Sequence, residues 1–288
     1  MHVRRFDDIA TFYDAVKSFL LQREAEHNLI FGLSQTLMKG PWPGWGKPYM
    51  AAVVDAREVI GVAFMTPPHD LIISHAADNR VLDQIAADVR TSFPALPGVN
   101  GKHEVVHAFA DIWLRVSEQS RYQLKTPLRI YELRAVIPPR EVPGELRAAT
   151  RDDRDLLVDW LLAFHDDALA HPQNRKEIET RVDLNFEREG SNLYFWIDEE
   201  QPVSMVGYAG PTPNGIRVNA VYTPPDKRRK GYASIAVAQL SQMLLGSGHE
   251  FCFLYTDRNN PTSNNIYMEI GYRAVCYAAV YEFLYEDE

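Results

Sequence analysis

Apolar residues recur along this chain at two spacings, one helical and one strand-like. Asp7–Glu26 has the helical spacing, with Ile9, Phe12, Val16, Phe19 and Leu20 on one side, and Asn28–Lys39 predicts a second helix. Residues 40–48, GPWPGWGKP, predict a loop by their Gly and Pro content. Tyr49–Asp55 and Val59–Thr66 read as a hairpin and Asp70–Ser74 as a third short strand. Asp78–Phe93 predicts a helix that turns Val81, Leu82, Ile85, Ala86 and Val89 inward. His103–Ser120 predicts another helix, and Pro127–Ile137 a strand carrying Leu128, Ile130, Tyr131 and Leu133.

Pro138, Pro139 and Pro143 then mark a linker. Beyond it, Leu146–Ala149 predicts a strand, and Asp153–Leu169 and Lys176–Glu189 two helices. Leu193–Asp198 and Val203–Ala209 form a predicted hairpin around Asp198-Glu199-Glu200-Gln201. Val218–Thr223 is a strand stopped by Pro224 and Pro225, Tyr232–Leu245 a helix, and Phe251–Thr256 a buried strand. Ser263–Ile270 predicts a last helix, and Arg273–Tyr285 one or two closing strands. Both halves follow the order helix, helix, hairpin, strand, helix, strand, helix, strand. A duplicated α/β architecture is expected, with one domain over residues 1–140 and a second over 145–288, although the halves share little sequence.

The chemistry concentrates between Ile216 and Gly248. The strand leads through Asp226-Lys227-Arg228-Arg229-Lys230 to Gly231, and the helix that follows has no charged residue from Tyr232 to Leu245. Acidic residues usually complement a helix N-terminus, and here four cations precede it instead. Gly231 permits a positive φ or a close backbone approach. Free N–H groups, the positive end of the helix dipole and the basic loop together predict a bound anion, most simply a phosphate. A KRRK run alone also fits a solvated loop or a nuclear-import patch, but its place between a strand and an uncharged helix favours the anion site. Neither GxxxxGK[ST] nor GxGxxG occurs, which disfavours a nucleoside triphosphatase or a Rossmann dinucleotide site.

Arg228-Arg229-Lys230-Gly231-Tyr232-Ala233 resembles the R/Q-x-x-G-x-G/A acyl-CoA motif of the GNAT superfamily of N-acetyltransferases, and Val221-Tyr222-Thr223-Pro224-Pro225 is similar to the strand before it. Asn260-Pro261-Thr262-Ser263-Asn264-Asn265-Ile266-Tyr267-Met268-Glu269-Ile270-Gly271-Tyr272 resembles the family's second signature, an Asn seven residues before a Tyr and then a Gly-aromatic pair. The resemblance covers about Glu145 to Phe283. It implies two tandem GNAT-like domains of the acyl-CoA N-acyltransferase type, with mixed, mostly antiparallel sheets flanked by helices. The first half would be a degenerate copy: Ser74-His75-Ala76-Ala77-Asp78 has no cation cluster and no glycine where the cofactor loop should be, and Asp78 would repel an anion.

For the second half the resemblance implies acetyl-CoA as co-substrate. Its pyrophosphate would meet backbone amides around Arg229, Lys230, Gly231, Tyr232, Ala233 and Ser234, with Arg228 and Tyr222 at the edges of the motif. Main-chain groups of Val221 and Thr223 would hold the pantetheine like an added strand, and the Val221 amide would stabilise the oxyanion formed on attack. Tyr267 matches the tyrosine that faces the departing sulfur. Asn260 and Ser263 match cofactor contacts, although Asn260-Pro261-Thr262 also reads as a turn leading into the helix.

An alkylamine acceptor needs a proton acceptor. Asp257 is the first candidate, with Glu187 and the His165-Asp166-Asp167 run behind it. Where family members place a glutamate on the central strand, this chain has Asn219 or Tyr222, so a water relay is an alternative. The function expected is acetyl transfer to a primary amine of a small molecule or peptide by direct attack. A non-catalytic acyl-CoA sensor is the alternative.

Composition narrows the partners. Residues 1–144 hold 16 basic and 16 acidic residues, so the remaining 14 and 23 carry the whole net charge of −9. This disfavours nucleic acid and suits a cationic amine. No apolar run approaches the ~20 residues of a membrane span, and MHVRRFDDIATF has no signal-peptide core. Cys252 and Cys276 lie in apolar segments, which predicts buried free thiols, a cytoplasmic setting and no metal site. A homodimer is allowed. Trp42 and Trp45 predict an ordered surface loop, and His69 and His75 read as lone polar residues.

Overall fold

A computed structural model of the chain describes residues 1–40, 44–169, 174–187 and 192–285. The chain divides into two compact units, Met1–Ile130 with Val275–Glu288, and Tyr131–Ala274. Trp42 falls outside the described residues, while Trp45 packs edge-on against His69 at 6.0 Å.

The first ten elements are β1 (His2–Arg5), α1 (Ile9–Leu21), α2 (Asn28–Met38), β2 (Tyr49–Asp55), β3 (Glu58–Met65), β4 (Leu71–Ile73), α3 (Asn79–Arg90), β5 (Gly98–Lys102), α4 (His103–Val116) and β6 (Arg121–Leu133). The next ten repeat that order: β7 (Glu145–Ala148), α5 (Arg154–Leu169), α6 (Arg175–Glu187), β8 (Asn192–Asp198), β9 (Gln201–Ala209), β10 (Gly215–Tyr222), α7 (Tyr232–Gly246), β11 (Phe251–Asp257), α8 (Pro261–Ile270) and β12 (Arg273–Leu284). Mixed α/β tandem halves are thus present, as the duplicated pattern predicts.

In the first unit, β4 and β5 run parallel with α3 between them, and Phe109, Trp113, Val81 and Val89 fill the core on that side. Phe12, Phe31 and Phe64 fill the other side, beneath α1 and α2. β1 and β5 have no sequence-based counterpart. β5 reads Gly-Val-Asn-Gly-Lys, a poor strand by propensity, and its pairing holds it. A Cβ at Gly101 would lie 2.5 Å from the carbonyl oxygen of Ile73, so the neighbouring backbone requires glycine there.

The border between the units differs from the one drawn at the proline segment. It falls inside β6, and the second half's closing strand joins the first unit. Ala278–Glu282 pairs antiparallel with Gly98–Lys102, and Ala279, Tyr281 and Phe283 enter the first unit's core. Pairing, which joins residues far apart in sequence, decides this border rather than proline content.

In the second unit the strand order is β11-β10-β9-β8-β7, all antiparallel except β10 with β11. One face carries α7 and α8 over Val218, Leu240, Leu254 and Tyr272. The other carries α5 and α6 over Leu157, Val182, Phe195 and Met205.

Asp153 ties β7 to the start of α5. Its carboxylate accepts from Arg147 at 2.8 and 2.9 Å and from the Thr150 amide at 2.8 Å. Arg147 chiefly holds its pKa down, at about 2 against an ordinary 3.8. A depressed carboxylate pKa adds stability that is present above pH 4 and lost as pH falls through about 2. Asp153→Asn should cost about 1–2 kcal/mol at pH 7, after allowing for the partly exposed arginine. Urea titrations from pH 7 to 2 should also show a shallower acid loss in the variant.

Candidate active site

β10 and β11 are in parallel register only at Gly215–Phe251, Ile216–Cys252 and Arg217–Phe253. Beyond Arg217 the strands part. On the other side of β10, pairing with β9 runs to Asn219–Gly207, skips Ala220 and Val221, and resumes at Tyr222–Met205. Ala220 takes a φ of 50° at this bulge. The backbone of Ala220 and Val221 is therefore paired on neither side, and an extended ligand can hydrogen-bond to it as an added strand.

The bulged strand delivers the chain to α7. Gly231 caps that helix at φ 90° with no side-chain cap, and no acidic residue occupies the first turn. The first intrahelical bond runs from the Ile235 amide to the Gly231 carbonyl at 3.1 Å. The amides of Tyr232, Ala233 and Ser234 thus lie in the helix's unsatisfied first turn. Arg229 also has a positive φ, 65°, next to this turn.

The four cations of the loop divide by role. Arg228 donates to the Thr223 carbonyl at 2.9 Å and to the Asp167 carboxylate, so it braces the loop from an exposed position. Thr223 is further held by Ser204 at 2.8 Å. Lys227 lies 3.8 Å from Asp226. Arg229 and Lys230 are exposed, and neither forms an ion pair among the described residues. Tyr232 donates to Asp198 through its hydroxyl, and that bond with burial lifts its pKa to about 12.

Tyr267 lies on α8 and is 7% exposed. Its neighbours' hydroxyls are satisfied: Tyr131 donates to Asn264 at 3.0 Å, and Tyr272 bonds Ser241 at 2.8 Å. The Tyr267 hydroxyl has no hydrogen-bond partner among the described residues, and burial pushes its pKa up to about 12. Asn260 caps α8 by accepting the Ser263 amide at 3.1 Å. This is the turn reading of that segment. Asn264, unremarked in the sequence, does the bracing: its Nδ2 donates to the carbonyls of Asp257, Arg258 and Asn260 at 3.1, 3.3 and 2.7 Å.

The proton-acceptor candidates are scattered. Asp257 ends β11, and one carboxylate oxygen accepts the Asn259 amide at 2.8 Å. Glu187 lies 4.0 Å from Arg151, and Asp167 is bound to Arg228. His165 accepts from Arg181 at 2.6 Å, and burial lowers its pKa to about 4. Tyr222 packs into the apolar face below α5, 5.8 Å from Trp160. Arg217, the last position of β10 in register with β11, carries no signal in the sequence because a lone strand arginine has no motif.

The first unit repeats the strand–helix–strand plan without the cradle. Asp78 caps α3 by accepting the Arg80 amide at 2.9 Å, where the second unit has an uncapped glycine. Against the expectation of no metal site, one group of three donors among the described residues occurs there, Glu26, His27 and His75. His27 already donates through Nδ1 to Leu20 and accepts the His75 amide at Nε2, and Arg23 stands 3.6 Å from Glu26. Both cysteines are free; Cys252 is buried and Cys276 half-buried. No helix among the described residues is long and apolar enough to cross a membrane.

Residues 155–272 match the model of the acetyltransferase (GNAT) family. No curated protein matches the chain. A GNAT-family acetyltransferase from Colwellia psychrerythraea superposes with a TM-score of 0.58 at 8% identity, over 99% of this chain and 100% of its own. A tandem GNAT protein from the clavulanic acid biosynthesis pathway gives 0.58 at 9% identity, over 97% of each chain. A GCN5-related N-acetyltransferase from Kribbella flavida gives 0.56 at 14% identity, over 90% of this chain and 95% of its own. At these identities the likeness is one of fold.

Proposed function

We propose that the second half of the chain, whose residues 155–272 match the GNAT acetyltransferase family, transfers an acetyl group from acetyl-CoA to a primary amine of a small molecule by direct attack. One observation carries the reading: β10 and β11 part beside an unpaired bulge that leads straight into an uncapped helix N-terminus. A ligand that is extended and hydrogen-bonding at one end and a diphosphate at the other suits that path. Acetyl-CoA, when bound, supplies the activated acyl group as a thioester.

The chain's own groups then have distinct tasks. Amides of Tyr232, Ala233 and Ser234 receive the pyrophosphate, with Arg229 and Lys230 adding charge from the loop. Unpaired main-chain groups at Val221 hold the pantetheine, and the Val221 amide faces the developing oxyanion. Tyr222, Thr223 and Arg228 keep that strand and loop in place. Asn260 and Ser263 border the same path at the start of α8. As the amine nitrogen forms its bond to the acyl carbon and the C–S bond breaks, Tyr267 donates a hydrogen bond to the sulfur. Asp257 takes the amine proton through water, and the acyl group never rests on the protein.

Two measurements test this. Isothermal titration with coenzyme A should show one site per chain. Thiol release from acetyl-CoA should then depend on an added amine across polyamines, amino acids and aminoglycosides. Absence of CoA binding would sink the reading. Tight binding with no turnover on any amine would make the protein an acyl-CoA sensor.

A further inference from the structure

Arg217 occupies the point where β10 and β11 part, as the last residue of β10 in register with β11. Its guanidinium rests against the backbone of Gly210, with Nη2 3.1 Å from where a Cβ would stand, so residue 210 leaves it room. The side chain is half-buried, and burial depresses its pKa. Asn219, two residues along the same strand, shares its face. That face turns toward α5 and α6, since both Asn219 and Leu193 of that core crowd Gly207. Among the described residues no carboxylate pairs with Arg217 and no acceptor takes a hydrogen bond from it; its one electrostatic neighbour is Tyr255 on β11. Two other arginines of the same unit show the contrast. Arg147 pairs with Asp153, and Arg134 with Glu132.

A guanidinium partly withdrawn from water without a counter-ion is costly, and proteins often supply one when they retain such a group. No described residue supplies it here, which leaves the place open to a ligand's anion. We infer that Arg217 binds the carboxylate of the acceptor, so that the substrate is a small amino acid-like molecule carrying both an amine and a carboxylate. The inference rests on the acetyl-transfer reading of the same cleft. A planar carboxylate matches the two-pronged guanidinium and balances its single charge. A phosphate would bring a second negative charge into a half of the chain that is already at −9.

The test pairs acceptors that differ only in that group. Acetyl-CoA-dependent thiol release is measured for the twenty protein amino acids, β-alanine and glycylglycine, each beside its carboxamide. The wild-type protein should favour at least one acid over its amide by about 100-fold in kcat/KM, since a site built for a polar group discriminates strongly against its loss. Arg217→Gln should remove that preference, and Arg217→Lys should retain part of it. A merely structural arginine would lower acid and amide alike. CoA affinity, measured by titration in each variant, should stay at the wild-type value and so reports folding and the donor site separately. Turnover of amides or simple amines as fast as of the acids overturns the inference. So does CoA binding with every carboxylated amine inert. Loss of CoA binding in the wild-type protein instead removes the acetyl-transfer reading beneath it.

Discussion

Gly231→Asp is expected to weaken coenzyme A binding by at least about 100-fold, or ~2.7 kcal/mol. Three effects act together. Gly231 sits at φ 90°, where any other residue is strained by about 1–2 kcal/mol. A Cβ there would stand 3.0 Å from Cγ1 of Val142, so one of the two must move. The new carboxylate would also occupy the N-terminus of α7 itself, competing for the amides that a pyrophosphate would use. Gly231→Ala carries the strain and the crowding without the charge, and should lose only about 10-fold, in line with that strain. Titration of both variants, with thermal melts as a folding check, separates the effects. Wild-type affinity in the aspartate variant would remove the diphosphate from this helix. Equal losses in the two variants would show that charge plays no part.

Tyr267→Phe should lower kcat by about 10- to 100-fold, near the lower end of what a positioned proton donor contributes, with CoA affinity unchanged. The raised pKa sets how the hydroxyl acts. A phenol near 12 facing a thiol near 8.5 makes full proton transfer uphill by about 5 kcal/mol. Donation of a hydrogen bond as charge develops avoids that cost. Because the folded-state pKa is raised, the neutral donor persists through the alkaline range. The pH–rate profile should therefore show no descending limb from Tyr267 below about pH 11. A limb at pH 8–9 that disappears in the phenylalanine variant would contradict this, and an unaltered kcat would remove Tyr267 from the chemistry.

Helices were the most legible elements. α1, α3 and α7 follow from apolar spacing, and the structure shifts their ends by only a few residues. β1 and β5 were not legible, since a four-residue, mostly exposed strand and a Gly-rich pentapeptide carry no period. β5 exists because β4 and β12 pair with it on either side. The candidate anion loop could be picked out because its parts are adjacent: strand, proline stop, cations, glycine and uncharged helix. Which cation braces and which carries no ion pair was not, since Arg228 is held by Asp167, 61 positions away.

The chain's local order determined by itself that a glycine opens α7, that its first turn lacks acid, and that two halves repeat one plan. Tertiary structure alone decided that the last strand joins the first unit, that Asn264 braces the loop before α8, and that the Tyr267 hydroxyl and the Arg217 guanidinium have no hydrogen-bond partner among the described residues. The reason is physical. Backbone propensity and dipole depend on neighbours within a few residues, whereas pairing, desolvation and hydrogen-bond satisfaction depend on groups that only folding brings together.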